Sequence, residues 1–169
     1  MARRKSLAFL DVGQGDCFVA DTKSGAIIFD GGSSSEDQVG RYRILPYMKY
    51  LGYQKIQIAV ISHMDIDHYS GIKELLEMGK IKYLGLPKIP KDATMKKIIG
   101  IAKKRGTTIF YLSRGRQITT KDGSLKVLHP QKNSQMEKNA ASLVMQGKIL
   151  GYRVLLTGDV EKEGEEELL

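Results

Sequence analysis

Apolar and polar positions along the chain predict a β-meander followed by strands that alternate with helices. Short apolar runs over residues 6–12, 17–21 and 26–29 are separated by glycine-containing turns, as in antiparallel strands. Residues 33–40 are polar and include three consecutive serines, so this segment is interpreted as a flexible surface loop. Beyond the loop, buried-strand patterns alternate with helical patterns.

This second part of the chain favours an α/β fold. Residues 44–51 predict a short helix that tolerates Pro46 in its first turn, and residues 94–104 predict an amphipathic helix. The other predicted strands cover residues 56–61, 81–86, 107–112, 125–128, 142–146 and 152–156, and the other predicted helices cover residues 72–78 and 161–169. We therefore expect an α/β (α+β) architecture in which two sheets pack together and helices cover their outer faces.

Composition and charge narrow the class of protein. The 169 residues are 41% hydrophobic and 27% charged, which is typical of a single globular domain, and no apolar run is long enough to cross a bilayer. The lone Cys17 excludes an internal disulfide framework and a cysteine zinc cluster. A net charge of +8 suits an anionic partner such as nucleic acid, but an inert basic surface explains it equally well.

Four potential metal ligands lie directly after the predicted strand 56–61. They are His63, Asp65, Asp67 and His68, in a predicted loop at a strand end, where α/β proteins bind ligands. Imidazole and carboxylate together suit zinc, manganese or iron. Because three protein ligands suffice for one open catalytic metal, this set favours a two-metal hydrolytic site. The alternative is a polar loop whose side chains cap the next helix.

Other polar residues at strand ends are weaker candidates. Asp30 ends a predicted strand and would orient a metal-bound histidine, or would only start a turn. Asp159 follows the predicted strand 152–156 and would bridge two metals, or would cap the next helix. Asp16 is weaker still, and Asn139 and Ser142 would either bind a substrate phosphate or be ordinary loop residues. A lone histidine such as His129 is more often a packing residue, so it is left out of the site.

Several motifs together resemble one known family. His-x-Asp-x-Asp-His at residues 63–68 resembles the His-x-His-x-Asp-His motif of the metallo-β-lactamase superfamily, and most closely the branch found in the competence protein ComEC. Five further motifs also resemble that branch: Asp-Val-Gly-Gln-Gly-Asp at 11–16, Phe-Asp-Gly-Gly at 29–32, Leu-Pro-Tyr at 45–47, Asn-Ala-Ala-Ser-Leu-Val at 139–144 and Leu-Leu-Thr-Gly-Asp at 155–159. The resemblance covers nearly the whole chain and implies an αββα sandwich.

The resemblance also implies a ligand set. His63 and Asp65 would bind one metal, Asp67 and His68 the other, and Asp159 would bridge them. Asp67 would in addition hold and orient the attacking water as a catalytic residue. Asn139 stands where the superfamily has a third histidine, and Asp65 also replaces a histidine. Both changes favour a harder metal, which moves the expectation from zinc toward manganese or magnesium.

The activity implied by the resemblance is hydrolysis of DNA, with a single strand as the substrate during uptake. A lactam, thioester or small phosphoester substrate stays open, as does a metal-poor domain that binds nucleic acid without catalysis. The superfamily's last metal-binding histidine would follow Asp159, and the helical pattern from Glu161 has no cap. We therefore expect residues 1–169 to be one domain truncated at its C-terminus, with weakly occupied metal sites and a tendency to form a homodimer. The parent of an excised domain would be membrane-tethered at the cell surface.

Overall fold

The computed structural model describes residues 5–169, and the first part of the chain forms a six-stranded sheet. Its strands are β1 (Ser6–Phe9), β2 (Phe18–Thr22), β3 (Gly25–Phe29), β4 (Ile56–Val60), β5 (Ile81–Pro87) and β6 (Thr108–Leu112). Strands β1 to β3 are antiparallel, and β4, β5 and β6 then add in parallel in chain order. The carboxyl ends of β3 to β6 therefore share one edge, which we call the carboxyl edge.

Four antiparallel strands form a second sheet. They are β7 (Gln117–Thr120), β8 (Gly123–His129), β9 (Val144–Ile149) and β10 (Tyr152–Leu156), in the order β10-β9-β8-β7. An apolar layer between the two sheets includes Phe18 and Phe29 from the first sheet and Val127 and Met145 from the second. This burial holds the sheets face to face as a sandwich.

The described chain has four α-helices, of which the first three cover the other face of the first sheet. They are α1 (Leu45–Tyr50), α2 (Ile66–Glu77), α3 (Ala93–Lys104) and α4 (Glu163–Leu168), with a π-helical turn at Gly40–Ile44 and a 3₁₀ helix at Lys138–Ala141. A second apolar cluster contains buried residues of α1, α2 and α3, among them Met48, Ile72 and Ile98, together with Ile28 and Leu84 of the sheet. Helix α4 instead contacts β8 and the 3₁₀ helix. The predicted fold class is confirmed.

The structure corrects several element boundaries. Helix α2 begins at Ile66, not at residue 72, so Asp67 and His68 lie in its first turn and not in the predicted loop. Helix α4 begins at Glu163, two residues later than predicted. Strand β7 was not predicted because Gln117–Thr120 offers a single apolar side chain, and its pairing with β8 makes it a strand. Within residues 5–169, no helix has both the length and the apolar character needed to span a bilayer.

Candidate metal centre

Glycines allow three loops to meet at the carboxyl edge. The backbone N–H of Asp16 donates to the Asp67 carbonyl at 3.2 Å, and that of Gly32 donates to the Asp16 carbonyl at 3.3 Å. A Cβ atom on Gly15 would lie 2.2 Å from the Gly32 carbonyl oxygen, and one on Gly32 would lie 2.6 Å from that of Ile66. Side chains at these positions would separate the loops, so the glycines of the motifs at 11–16 and 29–32 are required by close backbone approach.

Two histidines and one carboxylate form the centre of the site. One ligand atom from each of His63, His68 and Asp159 lies within 4.8 Å of the others. Asp159 Oδ2 is 3.9 Å from His63 Nε2 and 3.2 Å from His68 Nε2, and the two imidazole centroids are 4.2 Å apart. Both histidines are buried, whereas the Asp159 side chain is 40% exposed. The two imidazoles are therefore enclosed by the protein, and the Asp159 side of the group is open to solvent.

The other two acidic candidates each lie beside one histidine. Asp65 Oδ2 is 3.5 Å from His63 Nε2, and Asp67 Oδ2 is 3.7 Å from His68 Nε2. The structure thus brings all five predicted ligands together, in two pairs on either side of Asp159. Their roles as metal ligands stay predictions.

Helix capping does not account for these carboxylates. Asp65 is the N-cap residue of α2, but its side chain accepts no capping hydrogen bond within the described chain. The N-cap residue of α4 is Lys162, three residues after Asp159. Both alternatives considered from the sequence therefore lack the hydrogen bond that would define them.

Asp30 lies beneath the two histidines and is buried. It has a left-handed backbone conformation with φ of 57°, which aspartate tolerates better than most residues. Its Oδ1 accepts the Ser62 backbone N–H at 2.7 Å, and its Oδ2 lies 2.7 Å from Ser62 Oγ and 2.9 Å from His68 Nδ1. This is the contact with a histidine that the strand-end position of Asp30 suggested. Ser62 is a residue of the site to which sequence reasoning gave no role, although it directly precedes a candidate ligand.

Charge and burial shift the pKa values of the site in different directions. Burial, followed by the charge of His68, lowers the pKa of His63 and favours the neutral imidazole that binds metals. Burial also opposes protonation of His68, but the hydrogen bond and charge of Asp30, with the charges of Asp159 and Asp67, raise its pKa to about 9. The pKa of the Asp16 carboxyl is raised, mainly because neighbouring groups of the centre shield it in part from water even though much of the side chain is exposed. The acidic groups thus create a negative potential that favours a cation.

The donor set fits a divalent metal. His63 Nε2 is buried and has no hydrogen-bond partner among the described residues, although the carboxylates of Asp65 and Asp159 lie within 4 Å of it. A buried nitrogen without a partner is uncommon in proteins unless an ion or water satisfies it. Two imidazoles with three carboxylates are ligands that zinc and manganese accept.

Asp16 and Ser142 lie at the margin of the centre. Asp16 Oδ2 is 3.9 Å from His68 Nδ1, and its side chain is largely exposed. Ser142 is buried, its Oγ has no hydrogen-bond partner in the described part of the chain, and a Cβ atom on Gly158 would lie 3.2 Å from its Cβ. Ser142 therefore lies under the turn that presents Asp159. Asn139 lies in the 3₁₀ helix, where its carbonyl accepts the Ser142 backbone N–H at 2.9 Å.

His129 has a different environment, as the sequence analysis expected. The ring is buried, with Nε2 2.7 Å from the Ala140 carbonyl oxygen and Nδ1 2.5 Å from Glu167 Oε2. It connects β8 to the 3₁₀ helix and to α4.

The fold agrees with a comparison against known protein families. Residues 10–169 match the family described as the metallo-beta-lactamase superfamily, and the chain belongs to that superfamily. It is 33% identical to ComE operon protein 3 of Bacillus subtilis (strain 168) over 95% of its length, and 27% identical to competence protein ComA of Neisseria gonorrhoeae over 94%. These relatives confirm the ComEC-type resemblance. The chain spans 23% and 20% of their respective lengths.

Solved structures show the same fold at low sequence identity. The class B3 di-zinc metallo-β-lactamase LRA-12 from an Alaskan soil metagenome has a TM-score of 0.57 and 18% identity, and the match covers 99% of this chain and 66% of that one. The metallo-β-lactamase fold protein YhfI from Bacillus subtilis has a TM-score of 0.56 and 16% identity, with 85% and 55% of the two chains covered. The chain thus has the fold of a superfamily of metal-dependent hydrolases.

Proposed function

We propose that this chain is a metal-dependent phosphodiesterase domain that cleaves DNA, with a single strand as its substrate, during competence-linked uptake. The observation that supports it most directly is the pairing of His63 with Asp65 and of His68 with Asp67 around the shared Asp159. One relative is named a competence protein and the other a product of the ComE operon, which favours DNA as the substrate. The domain would work at the cell surface, tethered through other parts of a longer protein.

Two divalent metals would be held by these pairs. His63 and Asp65 would bind one, His68 and Asp67 the other, and Asp159 would contact both. Metals in such a site supply an activated water and neutralise charge that develops on the phosphate. Since three of the five ligands are carboxylates, manganese is the favoured ion and zinc the alternative.

The chain's own residues would orient the reactants. The Asp67 side chain is 28% exposed, so one carboxylate oxygen can accept a proton from the attacking water while the group also faces His68. Asn139 would donate a hydrogen bond to the phosphate, whereas Ser142, which is buried under the turn that presents Asp159, would support that turn. The net charge of +8 would attract the DNA backbone to the domain.

A cleavage assay tests this proposal. With manganese present, the protein should cleave a labelled DNA single strand, and His63→Ala or Asp67→Asn should reduce the rate at least about 100-fold because each removes a ligand. Asp37→Asn, in the exposed loop before the π-helical turn, is the matched control and should retain activity. Manganese-dependent cleavage that survives either site variant would contradict the assigned roles.

Hydrolysis of a substrate other than DNA, such as a lactam, is the second candidate function, because several structural neighbours are metallo-β-lactamases. A panel of a lactam, a thioester and a small phosphodiester, each with manganese and with zinc, would distinguish this from DNA hydrolysis. DNA binding that is independent of metal, without turnover of any substrate, would instead favour a binding domain.

A further inference from the structure

One chain of hydrogen bonds connects the two histidines of the centre through buried groups. It runs from His68 Nδ1 to Asp30 Oδ2 at 2.9 Å, from Asp30 Oδ2 to Ser62 Oγ at 2.7 Å, and from Ser62 Oγ to His63 Nδ1 at 3.0 Å. All four residues are at most 1% exposed. Water therefore does not compete for these bonds, and each hydrogen in the chain must be accounted for by the groups themselves.

The direction of each bond follows from counting donors. Asp30 receives the Ser62 backbone N–H on Oδ1, and a carboxylate is an acceptor only. The Ser62 hydroxyl therefore donates its single hydrogen to Asp30 Oδ2. With that hydrogen used, Ser62 Oγ can only accept from His63, so His63 Nδ1 must carry the hydrogen. By the same argument, His68 Nδ1 carries the hydrogen that it donates to Asp30.

This direction leaves the metal-facing nitrogen of His63 with its lone pair. His63 Nε2 is the buried atom without a hydrogen-bond partner in the described chain, and it faces Asp65 and Asp159. We propose that Ser62 is a positioning residue. Because its hydroxyl donates to Asp30, its oxygen can only accept a hydrogen bond from His63, and this fixes His63 in the Nδ1–H tautomer before metal binds. The inference depends on the metal centre and is independent of the substrate.

The surroundings hold Ser62 in the conformation that this role needs. Its carbonyl accepts the backbone N–H of Leu143 at 2.9 Å, which ties it to the residue directly before β9 of the second sheet. Gly158 packs on it so closely that a Cβ atom there would lie 2.8 Å from both Ser62 Cβ and Ser62 Oγ. The same turn presents Asp159, so the hydroxyl and the shared carboxylate are positioned by one contact.

Nitrogen NMR of the metal-free protein tests the proposal directly. With histidine side chains labelled, the wild-type protein should show His63 in the Nδ1–H form. Ser62→Ala should shift His63 toward a mixture of tautomers, leave the His68 Nδ1 hydrogen in place, and weaken manganese and zinc binding by about 10- to 100-fold in calorimetric titration. Ser113→Ala is the matched control, because Ser113 is a buried serine that directly follows β6 at the same edge. Ser113→Ala should change neither the histidine tautomers nor the metal affinity.

A second variant tests the direction of the relay. In Asp30→Asn the amide oxygen would accept the Ser62 backbone N–H, so the amide nitrogen would face Ser62 Oγ and His68 Nδ1. The Ser62 hydroxyl would then donate to His63, and both histidines should change to the Nε2–H form, which cannot bind a metal through Nε2. Ser62→Cys nearly keeps the side-chain volume and should lie between wild type and Ser62→Ala in metal affinity.

A purely structural role for Ser62 predicts other results. It would lower the unfolding temperature of Ser62→Ala without changing the His63 tautomer, and that outcome would overturn the proposal. So would a wild-type protein in which His63 already carries its hydrogen on Nε2, a measurement that needs no variant to fold. Because these readings come from metal-free protein and bare metal ions, a failure of DNA cleavage would leave them unaffected.

Discussion

Among the acidic residues of the centre, Asp159 differs from Asp65 in the number of histidines it approaches. Its Oδ2 lies within 4 Å of both His63 Nε2 and His68 Nε2, whereas Asp65 lies beside His63. Asp159→Asn should therefore weaken both metal sites, and Asp65→Asn only one. Manganese stoichiometry from calorimetric titration checks this: at saturating manganese the wild type should bind two ions and Asp65→Asn one. Two ions bound tightly by Asp159→Asn would contradict the bridging role.

At the residue scale, the site residues that could be predicted were those that lie close together in the sequence or directly after a strand. Four candidate ligands fall within six residues, so their chemistry was visible in the sequence. The position of Asp159 followed from its place after an apolar strand. The role of Ser62 was not predictable, because it depends on a hydrogen bond to a residue 32 positions earlier in the chain. A hydroxyl next to a histidine does not by itself indicate which groups it will contact.

At the scale of secondary-structure elements, the start of α2 depends on Gly32. A Cβ atom at this position would lie 2.6 Å from the Ile66 carbonyl oxygen and 2.7 Å from the His68 backbone nitrogen. Gly32→Ala should therefore push the first turn of α2 away from β3, lower the free energy of unfolding by about 1–3 kcal/mol, and weaken metal binding. Urea unfolding and manganese titration measure the two effects.

Gly100→Ala is the control for this change. Gly100 lies in α3, and a Cβ atom there would have no neighbour within 4 Å. The same substitution should stabilise the protein by about 0.5–1 kcal/mol, because alanine favours a helix more than glycine does. If Gly32→Ala were equally stabilising, the contact of the two loops would not restrict that position.

The elements themselves were mostly predictable from apolar periodicity, with errors where tertiary contacts decide the boundary. The first turn of α2 contains Asp67 and His68, whose polarity hides the helical pattern. Two hydrogen bonds hold the start of α2 against the loop that follows β3. The Gly31 N–H donates to the His68 carbonyl, and the Ile72 N–H donates to the Gly31 carbonyl. Such contacts between distant segments are invisible to a local pattern.

At the scale of the whole molecule, apolar side chains are exposed along the edges of both sheets. Phe9 at the end of β1 is 77% exposed, and Tyr152 and Leu155 of β10 are 62% and 59% exposed. An edge strand presents backbone groups that can pair with another chain, so the expected homodimer would form here. Sedimentation velocity at rising concentration should show association that Leu155→Lys abolishes. Tyr50→Lys replaces another exposed apolar side chain, on α1, and should leave the association intact.

The parallel order of β3 to β6 also predicts where DNA lies. His63 follows β4 at the carboxyl edge, and the exposed Lys88 follows the adjacent strand β5 at the same edge. Lys82 is exposed too, but lies near the opposite end of β5. If DNA crosses the metal centre, Lys88 contacts a phosphate and Lys82 does not, although both contribute the same charge to the molecule.

Exchange of each lysine for glutamine separates local contact from net charge. In an Asp67→Asn background that cannot cleave, Lys88→Gln should weaken single-stranded DNA binding several-fold. It should also reduce the slope of the logarithm of affinity against the logarithm of salt concentration by about 0.7, the value for one phosphate contact on a single strand. Lys82→Gln lowers the net charge equally and should change the slope little. Equal slopes in the two variants would mean that the basic charge acts on DNA without a defined path across the carboxyl edge.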